Sequence, residues 1–123
     1  MYLYITICLI FCRAFYIFLV MKVYVSGKIT GTTDYEKRFA ARAWQLKKMG
    51  YTVVNPVPLI KFRMEVEGRE LTHDECMKYC IGWLSDCDGI NMLPGWEDSE
   101  GAREEYEYAV SHGKSIVDIK FFK

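Results

Sequence analysis

Residues 87–112, CDGINMLPGWEDSEGAREEYEYAVSH, constrain the fold more than any other stretch. The apolar run Ile90, Met92, Leu93 follows Asp88 and ends at Pro94-Gly95, because proline has no ladder donor and glycine tolerates a turn. Asp98 or Ser99 then caps a helix that runs to about His112, where Gly113 stops it. On a wheel of about 100° per residue, Ala102, Glu105, Tyr106 and Ala109 share one face, while Glu104, Glu107 and Tyr108 point elsewhere. Glu105 therefore falls among residues that face a sheet. Burying a carboxylate is costly unless it is partnered, and an acid near a helix start gains from the dipole. Two readings stay open: a catalytic or ligand-binding group, or an ordinary half-exposed helix acid.

At 123 residues the chain allows one domain with one modest core. Its 16 Lys and Arg balance 16 Asp and Glu, so no global field favours a nucleic acid or an acidic membrane. No basic run with interleaved aromatics is present, and a nucleic-acid polymer is not an expected partner. Of five cysteines, Cys8 and Cys12 lie in an apolar leader, and Cys76, Cys80 and Cys87 lie in or beside one predicted helix. An odd count without a regular framework argues for free thiols in a reducing, cytoplasmic compartment. Cys76 and Cys80 form a lone pair, and His73 and His112 are far apart, so neither a metal nor a cofactor is expected.

Residues 1–20, MYLYITICLIFCRAFYIFLV, are apolar apart from Arg13 and a few small polar groups. A membrane span needs roughly 20 apolar residues, and a central arginine costs about 2.5–3.5 kcal/mol on insertion scales. The segment lacks a basic start and a small-residue cleavage site. The leading expectation is that translation begins at Met21 and the leader is a mis-assigned start. A membrane anchor and a packed accessory helix are the alternatives, and a membrane is a partner only if the leader is real. Residues 21–123 then form the domain.

In chain order, residues 22–26 alternate and are β-rich, which predicts the first central strand. Gly27-Lys28-Ile29-Thr30-Gly31 is a glycine-bounded turn whose amides, with Ser26, Lys28 and Thr30, suit a phosphate; it is neither a Walker loop nor a full dinucleotide fingerprint. Residues 34–49 read as a helix with a stripe of Tyr35, Phe39, Ala43 and Leu46, widened by Ala40 and Trp44. Gly50 ends it, and residues 51–54 form a second strand. Asn55-Pro56-Val57-Pro58 is expected to stop that strand and fix an extended loop, with Asn55 at the ligand-binding end of the sheet. Residues 59–71 are a surface excursion or a short helix. Thr72-His73-Asp74-Glu75 is a capping box, and Met77, Cys80, Ile81 and Leu84 give a stripe that packs on the sheet. Residues 115–119 are the last strand, and Phe121 and Phe122 cover a sheet edge or sit between subunits. Alternating strands and helices make an α/β fold: an open parallel sheet of about four to five strands flanked by helices, with its crevice at the strands' carboxyl ends.

Tyr24 with Ser26-Gly27, then Asp88-Gly89, then Ser99-Glu100-Gly101-Ala102-Arg103-Glu104-Glu105 with Ala109 resemble the nucleoside 2-deoxyribosyltransferase-like superfamily. The resemblance covers residues 21–120 and is nearest a small branch of bacteria and phages with a Pro-Gly-Trp-Glu-x-Ser-x-Gly-Ala-Arg stretch, here residues 94–103. It implies a flavodoxin-like (Rossmann-like) fold, a homodimer or larger homo-oligomer, and cleavage of the N-glycosidic bond of deoxynucleosides or their monophosphates. Glu105 would be the nucleophile, forming a covalent sugar ester resolved by water or a second base. Tyr24 would orient it, and Asp88 or Asp86 would handle the base. The substrate would rest on Ser26, Gly27, Lys28, Ile29, Gly31, Asn55, Gly95, Trp96, Ser99 and Gly101, with a 5′-phosphate at the first glycine turn and Ser99. Ser99 stands where nucleoside-specific transferases carry an aspartate, which favours monophosphates. Cys80 stands where the transferases carry a base-handling aspartate. Nucleotide binding or sensing without turnover is the alternative function.

Overall fold

The computed structural model describes residues 21–119, and the expectations for residues 1–20 and for Phe121 and Phe122 lie outside it. Strand β1 (Lys22–Ser26) pairs with β2 (Thr52–Val54) on one edge and β3 (Gly89–Met92) on the other, and β3 pairs with β4 (Ser115–Ile116). Every pairing is parallel, and the order is β2-β1-β3-β4. The sheet is thus four-stranded among the described residues, flanked by helices in an α/β arrangement. Tyr24 stands beside Val54 and Ile90, and Ile90 beside Ile116.

Successive strand side chains point to opposite faces. Val23 and Val25 pack with Phe39 and Leu46 of helix α1 (Tyr35–Lys48) and with Val57, Leu93 and Val117. Tyr24 and Ile90 face the other way, toward Cys80 and Leu84 of α3 (His73–Ser85) and Ala109 of α4 (Glu100–Ser111). In α1 the buried residues are Phe39, Ala43 and Leu46. Trp44 does not widen that stripe: it is 58% exposed, with the Lys48 ammonium 4.3 Å from its ring centre.

The main departure is α2 (Pro56–Glu67). The proline pair does not fix an extended loop. Pro56 occupies the first helical position, where its missing N–H would have no partner anyway, and Asn55 Oδ1 accepts from Val57 N–H at 3.1 Å. Gly68 ends the helix at φ 66°. The apolar residues of α2 fall all round it, with Val57 buried and Phe62 and Val66 exposed, so the sequence has no clear helical period to announce it.

The capping box forms: Thr72 Oγ1 accepts from Glu75 N–H at 3.2 Å, and Glu75 Oε1 accepts from Thr72 N–H at 3.1 Å. β4 is shorter than residues 115–119, yet its edge is held beyond the ladder. Asn91, 1% exposed, donates to Val117 O at 2.7 Å and accepts from Arg42 of α1 at 2.8 Å. No helix among the described residues is long and apolar enough to cross a membrane.

Gly27 is tight for a reason other than its backbone angle. A Cβ added there would lie 2.8 Å from Leu93 Cβ, where the exits of β1 and β3 cross. Gly27→Ala should therefore destabilise the fold by about 1–3 kcal/mol through overpacking. Gly31→Ala, in open space but at φ 80°, carries backbone strain of about 1 kcal/mol instead. Urea unfolding of the two variants distinguishes these causes, because Leu93→Ala should partly relieve the first and not the second.

Candidate functional site

The carboxyl ends of β1 and β3 flank the point where the connections depart in opposite directions, which is where open α/β sheets leave a crevice. An open cleft of about 840 Å³ lies there. The turn after β1 supplies Gly27, Lys28, Ile29 and Thr30; the start of α4 supplies Ser99, Gly101 and Ala102; α2 and α3 form the far wall. Tyr24 and Glu105 line the floor.

Strand alternation puts Tyr24 and Ser26 on the same face of the sheet as α4. Ser26 Oγ donates to Glu105 Oε1 at 3.3 Å. Glu105 is 7% exposed and Tyr24 fully buried; neither Glu105 Oε2 nor the Tyr24 hydroxyl completes a hydrogen bond, though the hydroxyl lies near enough to Glu105 to act on its charge. Buried polar atoms are rarely left so. The floor fits Glu105 because Ala102 and Ala109, the small residues on its face of α4, let the helix approach the sheet. Burial pushes the Glu105 carboxyl up from the ordinary 4.5 to about 7, against the opposing pull of the Tyr24 and Ser26 hydroxyls. Burial and the neighbouring Glu105 push the Tyr24 phenol well above its usual value. Burial pushes the adjacent Cys80 thiol up to about 12.

The residues expected from sequence divide. Glu105, Tyr24, Gly27, Lys28, Ile29, Ser99 and Gly101 come together at the cleft, with Ser26 beneath it on Glu105. Ser99 spends its side chain as the cap of α4, accepting from Ala102 N–H at 3.2 Å.

Asp88 is not brought to the cleft. It sits at the amino end of β3 and accepts from Lys22 N–H at 2.9 Å, at the opposite end of the strands. Asn55 caps α2 and does not line the cleft, nor does Gly31, whose φ of 80° serves the turn. Gly95 and Trp96 also stand outside the lining. They brace the loop after β3 through a Trp96–Tyr106 ring contact with centroids 4.6 Å apart, helped by Arg38 on Pro94 O at 3.1 Å and Arg103 on Glu97 O at 2.6 Å.

The α2–α3 wall was not expected from sequence. Ile60 and Met64 on α2, with His73, Cys76, Met77 and Cys80 on α3, line it. The spacing of His73, Cys76, Met77 and Cys80 follows one helical stripe, a signal available once the capping box had set the helix start. Among the described residues no cluster of three or more His, Cys, Asp or Glu side chains has metal-binding geometry.

A family model described as a domain of unknown function, DUF4406, matches residues 21–118. No curated protein matches the chain.

The Glu105 geometry has a consequence for stability. Between pH 4.5 and about 7 the folded state holds a proton that the unfolded state has released, so stability falls as pH rises through that window. The cost is complete above about pH 7 and is on the order of 3 kcal/mol. Glu105→Gln removes the charge, so it should be more stable than the wild type by about 1–3 kcal/mol above pH 7 and should show no such gain below the ordinary carboxyl pKa. Denaturant midpoints at both ends of the window check this; equal pH dependence of the two proteins would refute the buried carboxyl.

Proposed function

We propose that this chain, which belongs to the DUF4406 family, is an N-glycosidase or deoxyribosyltransferase acting on deoxynucleoside 5′-monophosphates. One observation carries the reading: a buried carboxylate, with one oxygen unpartnered, sits beside an unpartnered tyrosine hydroxyl on the floor of an open cleft. A group that costs stability and is left unsatisfied is characteristic of a site organised for a ligand. Glu105 Oε2 is the attacking atom. It adds to the anomeric carbon as the C–N bond breaks, the electron pair leaves with the base, and water or a second base then cleaves the sugar ester. Ser26 holds the other carboxylate oxygen, and Tyr24 orients the attack. The sugar fits against Ala102, and the phosphate meets the turn after β1 and the start of α4. The strand order β2-β1-β3-β4 agrees with a flavodoxin-like arrangement. The resemblance further implies a homodimer or larger homo-oligomer.

The position of Asp88, far from the cleft, and the neutral Cys80 thiol at its floor favour a second reading, nucleotide binding without turnover. Base release from a panel of deoxynucleoside monophosphates separates the two. Under the first reading the wild type forms a sugar adduct detectable by intact mass, and Glu105→Gln abolishes release. Tyr24→Phe gives an intermediate loss, because it removes an orienting hydroxyl and leaves the attacking atom. Glu104→Gln, about 100° round the helix, changes little. Near-wild-type turnover by Glu105→Gln would sink the nucleophile assignment, and no turnover by the wild type would leave the binding reading.

Ser99 gives a separate expectation. Ser99→Ala should narrow the preference for a monophosphate over its nucleoside, since a charge-assisted hydrogen bond is worth roughly 1.5–3 kcal/mol. Equal calorimetric affinity for both ligands, in both proteins, would remove the phosphate from the site.

A further inference from the structure

The cleft has two unlike sides. On one, the turn after β1 supplies Lys28 and Thr30 and the start of α4 supplies Ser99. On the other, Val57, Ile60 and Met64 of α2 stand with Cys76, Met77 and Cys80 of α3. The charged and ring-polar members of this second side, Lys61, Glu70 and His73, are all exposed at its rim. Lys61 is paired there with Glu36 at 2.6 Å. Below the rim the side carries the four sulfur atoms of Met64, Cys76, Met77 and Cys80 and, among the described residues, no charged or amide side chain. Neither Asp86 nor Asp88 lines the cleft.

α3 orders these groups by depth. Cys80 is buried in one cluster with Tyr24. Cys76 and Met77 stand one turn higher and half-buried, and His73 another turn higher and exposed. At 1.5 Å per residue, Cys80 to His73 spans about 10 Å, which leaves a full helical turn of wall above the floor. Met77 Sδ reaches across to the start of α4: a Cβ built on Gly101 would lie 3.2 Å from it. Gly101 is one turn before Glu105 on that helix. Ile60 and Met64, four residues apart on α2, present the same face to the cleft from the other helix. Burial keeps both thiols uncharged, pushing Cys80 up to about 12 and raising Cys76. Thiols and thioethers are weak hydrogen-bond partners. They are also polarisable, and sulfur against an aromatic ring is a favourable contact. Such a wall suits the face of a flat heteroaromatic ring and offers little to its edge.

A second observation points to a ligand in the same cleft. The Tyr24 hydroxyl and Glu105 Oε2, on residues 0% and 7% exposed, complete no hydrogen bond at the floor. A sugar supplies the hydroxyls that such a pair lacks. With the sugar there and the anionic end at the turn after β1, the α2–α3 side is the one left for the base. We infer that the base lies against Met64 and Met77 of this sulfur-lined wall and is selected by its apolar ring surface, with no side chain reading its hydrogen-bonding edge. This deepens the monophosphate reading and rests on it. The two modes of selection differ widely in size. A site that hydrogen-bonds a substrate group rejects the analogue lacking it by about 10⁴–10⁵, whereas one extra methyl on an apolar wall is worth about fourfold.

Calorimetry of Glu105→Gln, which has no carboxylate to attack, tests this with four probes: the 5′-monophosphates of deoxythymidine, deoxyuridine and deoxycytidine, and deoxyribose 5-phosphate. The thymine nucleotide should bind about fourfold tighter than the uracil nucleotide, and the uracil and cytosine nucleotides should agree within about threefold. Deoxyribose 5-phosphate should bind about tenfold more weakly than any of them or worse. Adding Met77→Ala should weaken the three nucleotides about tenfold and leave deoxyribose 5-phosphate unchanged, a split that a general folding defect does not produce. Adding Met77→Leu instead, which conserves volume, should hold the nucleotides within about threefold. A uracil–cytosine difference beyond about tenfold shows an edge-reading group and overturns the inference. Nucleotides that bind no better than deoxyribose 5-phosphate, or a loss in Met77→Ala that deoxyribose 5-phosphate shares, also overturn it; each of these results leaves the monophosphate reading standing. No binding of any of the four probes overturns the monophosphate reading and the inference together.

Discussion

Strand β1 is paired on both edges and covered on both faces, so each of its side chains has one allowed direction. Val23, Tyr24 and Val25 are each fully buried. A slip of one residue would turn Tyr24 and Ser26 toward α1 and drive the valines under α4. That register is fixed by the pairings of Tyr24 with Val54 and Ile90. It is also what brings Ser26 Oγ to Glu105. The apolar core and the polar floor of the cleft are thus two consequences of one strand's alternation, and neither can be altered without the other.

Glu105 sits at the floor at a cost. Its environment favours the neutral carboxyl, and one hydroxyl donor offsets only part of the lost hydration. Elsewhere among the described residues the one buried side-chain atom without a partner is Arg63 Nε. Asn91, equally deep, has both ends of its amide used, and the starts of α2, α3 and α4 are all capped by side chains. Of the three buried side-chain atoms left without a partner among the described residues, two, Glu105 Oε2 and the Tyr24 hydroxyl, lie together at this floor. Exchange of the carboxylate for a neutral group is therefore expected to favour the fold.

Much of this was legible in the sequence, for identifiable reasons. The capping box at Thr72, a cap at Asp98 or Ser99 with the stop at Gly113, and the place of Glu105 on the sheet-facing side with Ala102 and Ala109 all follow from local chemistry and a helical wheel. α2 was only partly legible: a short helix within residues 59–71 was one of two readings, but its apolar residues have no single face and its two prolines resemble a loop until Pro56 is seen at the first helical position. The loss of α2 hid one wall of the cleft. Asp88 was placed in the site by the family resemblance, as a stand-in for the aspartate that Cys80 replaces, but strand direction carries it to the far end of the sheet. Gly95 and Trp96 stand outside the cleft's lining, in the loop before Ser99, where Trp96 packs against Tyr106. The contact of Asn91 with Arg42 spans two elements, and no local pattern announces such a pair.

The floor of the cleft holds three titratable groups whose values are raised by the same cause. Desolvation lifts the carboxyl of Glu105, the thiol of Cys80 and the phenol of Tyr24 alike, because each is neutral when protonated. Their starting points decide what that shift means. A carboxyl raised from 4.5 to about 7 arrives where its protonation changes near neutrality. A thiol at about 12 and a phenol higher than usual stay protonated. Burial thus selects one titrating group at the floor and leaves two hydroxyl- or thiol-bearing neighbours as donors.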